Sequence, residues 1–380
     1  MAYAEFFKQE DDTLFIDYPN LHRVDTGTII SVDNDAVKIE ITAKHDDYLE
    51  AKVKHGGLVL INRVVEFENY IPKLAFFSDI DKKQITWGVE NKINVIAVSY
   101  IRDAESVQSI KSFLNEIGGG HVKIVAKIET KEAITNIAEI IQYSDGVNIN
   151  RTKLEILDGE TAQDTKNKII TLCNQHGKPC IMTTGIDITV AKSKRPWSIV
   201  KEEIEQGADA FLLTKETSVA DDPIEYVLDL YDLINNKDID VVTNYSLQDL
   251  TTHQENPITD YIIYNAYRAS KEIDIKAIIC PTESGYTPAR LSALKPEVPI
   301  ISFTKNDNAF RYLNLLRGVK GYKISSTFEY GNIKQIGKEI IRILFKGTSL
   351  DDKILIVHSS LEQNVANMIN GIELYKFKDI

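Results

Sequence analysis

Lys127 and Glu129 stand two residues apart at the end of a short branched apolar run, His121-Val-Lys-Ile-Val-Ala-Lys127-Ile-Glu129. A run of this kind predicts a parallel strand buried on both faces. Residues two apart on a strand point to the same side. The ammonium and the carboxylate therefore emerge together at the strand's carboxyl end, which carries the chemistry in a βα barrel. The pair suits phosphoryl transfer, in which a fixed cation steadies the migrating group and a carboxylate holds a bridging metal ion. The plainer reading is an ion pair that satisfies itself at the rim.

The elements that must position this pair follow from the hydrophobic spacing. Ala133, Ile134, Ile137, Ile140 and Ile141 recur at three- and four-residue steps, which predicts one helix. Val147 and Ile149 then resume a strand pattern, so residues 121–157 form one strand–helix–strand unit. Comparable strands begin at Ile93, Lys123, Val147, Cys180 and Ala210. Helices are expected at 78–92, 103–117, 161–176, 197–206 and 223–235, with Ser78-Asp79 capping the first and Gly118-Gly119-Gly120 closing the second. A closed barrel takes eight strands. The fold class is therefore α/β, with an incomplete (β/α) barrel of five βα units.

Two further regions flank it. Residues 13–70 alternate apolar and polar side chains, in runs at Leu14, Thr28–Val32, Val37–Ile41, Leu49–Val53 and Leu58–Leu60, with turns at Asp25–Gly27, Asp33–Asp35 and His55–Gly57. This predicts a small antiparallel β-module. After a polar linker at about 236–257 come a helix over Ile258–Ser270, a strand at Ala277–Cys280 and the loop Pro281-Thr-Glu-Ser-Gly-Tyr-Thr287. Pro288 then opens a helix, followed by a strand at Pro299–Phe303, a helix from Asp307 to Leu316 and a late strand at Lys353–His358. These make a small open α/β domain. The expected division is 1–72, 73–236 and 237–380.

Composition excludes several roles. The 380 residues carry a formal net charge of −12. Nucleic acid and anionic membrane both need clustered Lys and Arg, so neither is expected as a partner. Cys173, Cys180 and Cys280 form no C-x-x-C pair, which argues against a zinc site or a disulfide framework and for a reducing, cytoplasmic compartment. The first residues have no signal peptide's apolar core, and no apolar run approaches the roughly 18 residues needed to span a bilayer.

Val-Ala-Lys127-Ile-Glu129-Thr resembles the strand of the pyruvate kinase family that carries a catalytic lysine and a metal-binding glutamate. Ser144-Asp-Gly-Val-Asn-Ile-Asn-Arg151-Thr-Lys153-Leu-Glu155 is similar to the family's next segment, S-D-G-x-x-x-A-R-G-D-L-G, with Thr152-Lys153 in place of Gly-Asp. Val98-Ser99-Tyr-Ile-Arg102 matches its S-F-I-R segment, and Ile181-Met-Thr-Thr184-Gly185 its C-A-T-Q strand end. Residues 14–41 resemble part of the family's β-barrel lid, which closes over the nucleotide. Thr282-Glu-Ser284-Gly-Tyr286-Thr287 resembles T-x-S-G-R-S, the loop that holds a sugar phosphate in effector-regulated members. The family's later effector turn is replaced by Ser359–Asn364.

The resemblance implies roles residue by residue. Lys127 and Thr184 take the catalytic positions, and Ser99, Arg151 and Thr152 the substrate-binding ones. Glu129 takes the metal position, and Lys153 replaces the second metal ligand. Thr282, Ser284 and Thr287 take the effector-phosphate positions, where a merely capped helix start is the plainer reading. The family's three earlier barrel strands, with the phosphate-gripping arginine and the monovalent-cation cluster, have no counterpart in the chain. The expectation is a non-catalytic relative acting by assembly, as a homo-oligomer or a hetero-oligomer with a catalytic pyruvate kinase. No bound cofactor is expected, and Lys153 is expected to pair with Glu129. The competing readings are an active phosphotransferase using Mg²⁺ and K⁺, with missing groups supplied by a partner, and a phosphometabolite-binding module.

Overall fold

A computed structural model describes residues 3–4, 16, 20–32, 36–57, 63–68, 77–183, 197–214, 217, 222–236, 239, 241, 256–325, 333–344, 347, 349–359 and 370–379. They fall into two compact units, Met1–Ile85 and Thr86–Ile380.

The first unit holds the antiparallel module. Strands β1 (Tyr3–Ala4), β2 (Ile29–Val32), β3 (Val37–Lys44), β4 (Leu49–His55) and β5 (Arg63–Phe67) form one sheet in the order β1-β5-β2-β3-β4. The alternation in β3 buries Val37, Ile39 and Ile41, which pack with Ile16, Val24, Ile30, Val32 and Val65. Gly27, at φ 86°, makes the left-handed turn into β2. β4 is an edge strand exposed along most of its length, so its period-two pattern marks pairing with β3 rather than a buried face. The expected strand at Leu58–Leu60 and the turn at Asp33–Asp35 lie outside the described residues.

The second unit carries two sheets. Strands β6 (Val95–Val98), β7 (Lys123–Ile128), β8 (Gly146–Asn150), β9 (Cys180–Thr183) and β10 (Ala210–Leu212) are parallel and stand in chain order. Helices α1 (Asp79–Glu90), α2 (Ala104–Glu116), α3 (Lys131–Thr135), α4 (Ile137–Tyr143), α5 (Arg151–Asp158), α6 (Ala162–Gln175), α7 (Trp197–Glu205) and α8 (Pro223–Ile234) alternate with them. Ile124, Val125, Ala126 and Ile128 of β7 and Val147 and Ile149 of β8 are buried, as continuous apolar runs require. The Asp103 side chain caps α2 by accepting from Ser106 N–H at 2.8 Å.

Two expectations need correction here. The single helix over 131–143 is broken at Asn136, whose φ of −94° and ψ of 15° leave the helical well. Its side-chain amide donates to the Arg102 carbonyl at 3.0 Å, and this contact outside the helix fixes the break. Arg151 and Lys153 lie not at a strand end but in α5, because Asn150 ends β8 and caps a helix by accepting from Lys153 N–H at 3.1 Å.

The other sheet continues from helix α9 (Pro257–Glu272) through β11 (Ala277–Pro281), α10 (Tyr286–Ala293), β12 (Ile300–Thr304), α11 (Asp307–Leu313), β13 (Val319–Lys323), α12 (Ile333–Leu344), β14 (Lys353–Ser359) and β15 (Asn370–Lys376). Its order is β13-β12-β11-β14-β15, parallel except for the antiparallel edge strand β15. Most of the linker at 236–257, Thr184, Gly185 and residues 360–364 lie outside the described residues.

The second sheet's helices and turns meet the amino-terminal ends of the first sheet's strands, and three side-chain hydrogen bonds are among the contacts. Asn94, just before β6, donates through its amide to Asn308 of α11. The carbonyl of Asp145, just before β8, accepts from Tyr312 Oη at 3.2 Å. Asp209, just before β10, accepts from Lys295 Nζ at 2.6 Å. Both aspartates also reach back across the sheet: Asp145 Oδ2 accepts from Ile124 N–H at 3.0 Å, and Asp209 Oδ2 from Cys180 N–H at 2.9 Å. Burial acts to raise the Asp145 pKa, but Lys123 and the Ile124 N–H outweigh it and hold the carboxyl below its usual range.

Candidate functional site

Lys127 and Glu129 sit where β7 ends, and the register places Ile128 of β7 opposite Ile149 of β8. Lys127 Nζ lies 3.0 Å from Glu129 Oε1 and donates to Ser99 Oγ at 2.8 Å. Glu129 Oε2 accepts from Tyr100 N–H at 3.2 Å. Their side chains keep 25% and 12% of their exposure, so the pair is more sheltered than an ordinary surface ion pair. Tyr100 holds a left-handed backbone, φ 57°, in the turn after β6. A bulky residue there costs of order 1–2 kcal/mol, and such outliers persist where the surroundings fix them. Glu129 is one such fixing contact.

Across the sheet, Asn148 donates to Thr183 Oγ1 at 3.1 Å, tying β8 to the last residue of β9. Arg151 opens α5 with its Nε 4.0 Å from Glu155 Oε1, Thr152 is exposed, and Lys153 is half-buried on the same first turn. Lys127, Glu129 and Ser99 are therefore brought into direct contact, with Arg151, Thr152 and Lys153 on the neighbouring helix start; the cation on Glu129 is Lys127 and not Lys153, a correction to the expected pairing. A divalent ion of the magnesium type is held mainly by carboxylates and substrate oxygens. Among the described residues this strand end offers Glu129 as its one carboxylate, with both oxygens already engaged by donors. No group of three or more His, Cys, Asp or Glu stands together elsewhere among the described residues. Of the one or two carboxylates that such an ion takes, the described residues supply one at this strand end.

The loop at 282–287 folds on itself. Thr282 Oγ1 accepts from Gly285 N–H at 2.9 Å and Ser284 Oγ from Tyr286 N–H at 3.3 Å. Gly285, at φ 87°, makes the left-handed entry to α10. The two hydroxyls thus accept from backbone N–H groups at the entry to the helix, while Thr287 is half-buried on the first turn. Tyr286 and Arg290 then converge on one buried carboxylate. Asp260 Oδ1 accepts from Tyr286 Oη at 2.9 Å and Arg290 Nε at 3.0 Å, and Arg290 Nη1 donates to the Gln175 carbonyl at 2.7 Å.

That hub and the Asp209–Lys295 pair escaped sequence reasoning. A signal was present for the second: an aspartate directly precedes the apolar runs of β8 and β10, as Ser-Asp145-Gly and Ala-Asp209-Ala.

The chain is similar to known proteins over most of its length. The pattern of the pyruvate kinase barrel domain matches residues 2–227, and that of the pyruvate kinase alpha/beta domain residues 260–371. A pyruvate kinase of Bacillus licheniformis is 30% identical over 329 residues, 84% of this chain and 56% of its own length. One from Lachancea kluyveri is 31% identical over 84% of this chain and 66% of its own length. Pyruvate kinase 1 of Saccharomyces cerevisiae is 31% identical over 82% of this chain and 64% of its own length. The chain thus spans between about half and two thirds of the length of these relatives. No helix among the described residues is long and apolar enough to cross a membrane.

Proposed function

The chain belongs to the pyruvate kinase family, and from that premise we propose that it is a non-catalytic member that works by assembly, with itself or with a catalytic paralogue. The observation that carries this reading is the closed set of contacts around Glu129, whose oxygens hold Lys127 and the Tyr100 N–H at 3.0 and 3.2 Å. A metal ion would have to displace an ammonium from this carboxylate. It would then lack the second carboxylate that the family resemblance assigns to the position of Lys153. Assembly is supported by the open sheet: every residue of the apolar strand β6 keeps some exposure, and Leu212 of β10 keeps 46%. Edges and faces of that kind favour a covering partner.

A second reading, phosphoryl transfer from phosphoenolpyruvate to ADP, is favoured by the retained cation. Lys127 donates to Ser99 and so stays fixed at the carboxyl end of the sheet. A lactate dehydrogenase-coupled assay with Mg²⁺ or Mn²⁺ and K⁺ separates the two. The expected result is no turnover above a Lys127→Ala control. Metal-dependent turnover well above that control overturns the non-catalytic reading and establishes the second.

A further inference from the structure

Among the described residues, three other than glycine hold a left-handed backbone: Lys92, Tyr100 and Lys295, at φ 60°, 57° and 52°. Lys92 and Lys295 each follow a helix, and their N–H groups donate back to the Val89 and Ser292 carbonyls at 3.0 and 2.9 Å. A left-handed residue is ordinary there, because it closes a helix end. Tyr100 follows strand β6, so no helix end accounts for it.

Ser99 and Tyr100 are the two central residues of the turn after β6. Tight turns have two common forms, with the third residue at φ of about −90° or about +80°, and these differ by a half-turn of the central peptide. The positive form favours glycine, and a tyrosine keeps it only where its surroundings hold it. The N–H of that central peptide, belonging to Tyr100, donates to Glu129 Oε2 at 3.2 Å. The Ser99 hydroxyl accepts from Lys127 Nζ at 2.8 Å. One turn thus grips both members of the ion pair, while Glu129 Oε1 stays 3.0 Å from Lys127 Nζ. Turning the central peptide over carries the Tyr100 N–H away from Glu129. The carboxylate is then free to rotate off the ammonium toward a divalent cation, which takes carboxylate oxygens and water as ligands.

We propose that the Ser99–Tyr100 turn is an autoinhibitory clip: its left-handed form keeps Glu129 on Lys127, and its flipped form releases Glu129 to bind a divalent cation such as Mg²⁺ or Mn²⁺. The clip presupposes the closed contacts of Glu129 on which the non-catalytic reading rests, and it governs metal binding rather than turnover.

Two substitutions at residue 100 separate the backbone from the ring, because both delete the tyrosine side chain. Tyr100→Gly takes the left-handed form at no steric cost, whereas the branched side chain of Tyr100→Val disfavours it. Mn²⁺ binding, read by electron paramagnetic resonance, should be at least tenfold tighter in Tyr100→Val than in Tyr100→Gly, with Tyr100→Ala between them. Glu129→Gln added to Tyr100→Val should remove the gain. Circular dichroism checks that each variant is folded, and the alanine–glycine comparison decides by itself if valine is not tolerated. Equal affinity across the series, or binding in none of it, overturns the proposal. So does tighter binding by Tyr100→Gly, or a gain that survives Glu129→Gln. The coupled assay on the unsubstituted chain decides turnover separately: metal-dependent activity there overturns the non-catalytic reading, and the order of metal affinities across residue 100 still decides the clip.

Discussion

Lys295 Nζ lies 2.6 Å from Asp209 Oδ1, and 2% of each side chain is exposed. The lysine sits in the turn after α10 and the aspartate just before β10, so one ion pair joins the two sheets of the larger unit. Burial pushes the Lys295 pKa down, and the Asp209 carboxylate opposes that shift. The carboxylate's other oxygen takes the Cys180 N–H, so the charge is hydrogen-bonded on both sides.

Removing one partner from such a pair leaves an unpaired buried charge, which costs about 3–5 kcal/mol. Lys295→Met should therefore lower the urea midpoint sharply. Lys295→Met combined with Asp209→Asn should recover most of the loss, because asparagine can still accept from Cys180 without carrying charge. Equal destabilisation by the single and double variants would mean that packing rather than charge sets the cost.

Glu203 on α7 has 1% of its surface exposed. Burial raises its pKa from 4.5 to about 7, opposed in part by Lys166 and Arg151. A carboxyl raised on folding stays protonated in the folded state while the unfolded chain ionises. Folding stability is therefore lost as pH climbs from 4.5 to about 7 and stays reduced above that. Glu203→Gln should leave stability nearly unchanged at pH 4.5 and raise it by about 2–3 kcal/mol at pH 8. Denaturant titrations at the two pH values read this directly. An equal gain at both would remove ionisation as the cause.

Lys153→Asp puts a carboxylate on the first turn of α5, which follows β8, the strand beside β7. Mn²⁺ binding, read by electron paramagnetic resonance, should appear in this variant at sub-millimolar metal and be at least tenfold weaker in the unsubstituted chain. Turnover is not expected to follow. Equal Mn²⁺ affinity in the two proteins would show that Lys153 does not oppose a metal there.

The parallel strands were legible because their apolar runs are continuous and local. β7 and β8 lie where Lys123–Ile128 and Val147–Ile149 place them. The helix break at Asn136 was not, because its cause is a bond to the carbonyl of Arg102, thirty-four residues away. Helix α5 was missed for a related reason: Arg-Thr-Lys reads as the tail of a strand until the Asn150 side chain is known to cap it. At the site, alternation foretold that Lys127 and Glu129 share a side. It could not foretell Ser99 or the left-handed Tyr100, which reach the pair from the turn after β6. Strands β13 and β15 and helix α12 went unread as well.

The attachments at Asn94, Asp145 and Asp209 fall on the first, third and fifth strands of the parallel sheet. Arg317 adds donors to the Ile204 and Ala208 carbonyls, and Arg290 one to the Gln175 carbonyl. A plate moored at so many points shares its load, and cutting one mooring leaves the others to hold its attitude. Substitution at any one of them should therefore cost stability while leaving the opposite rim, with Lys127 and Glu129, in its place.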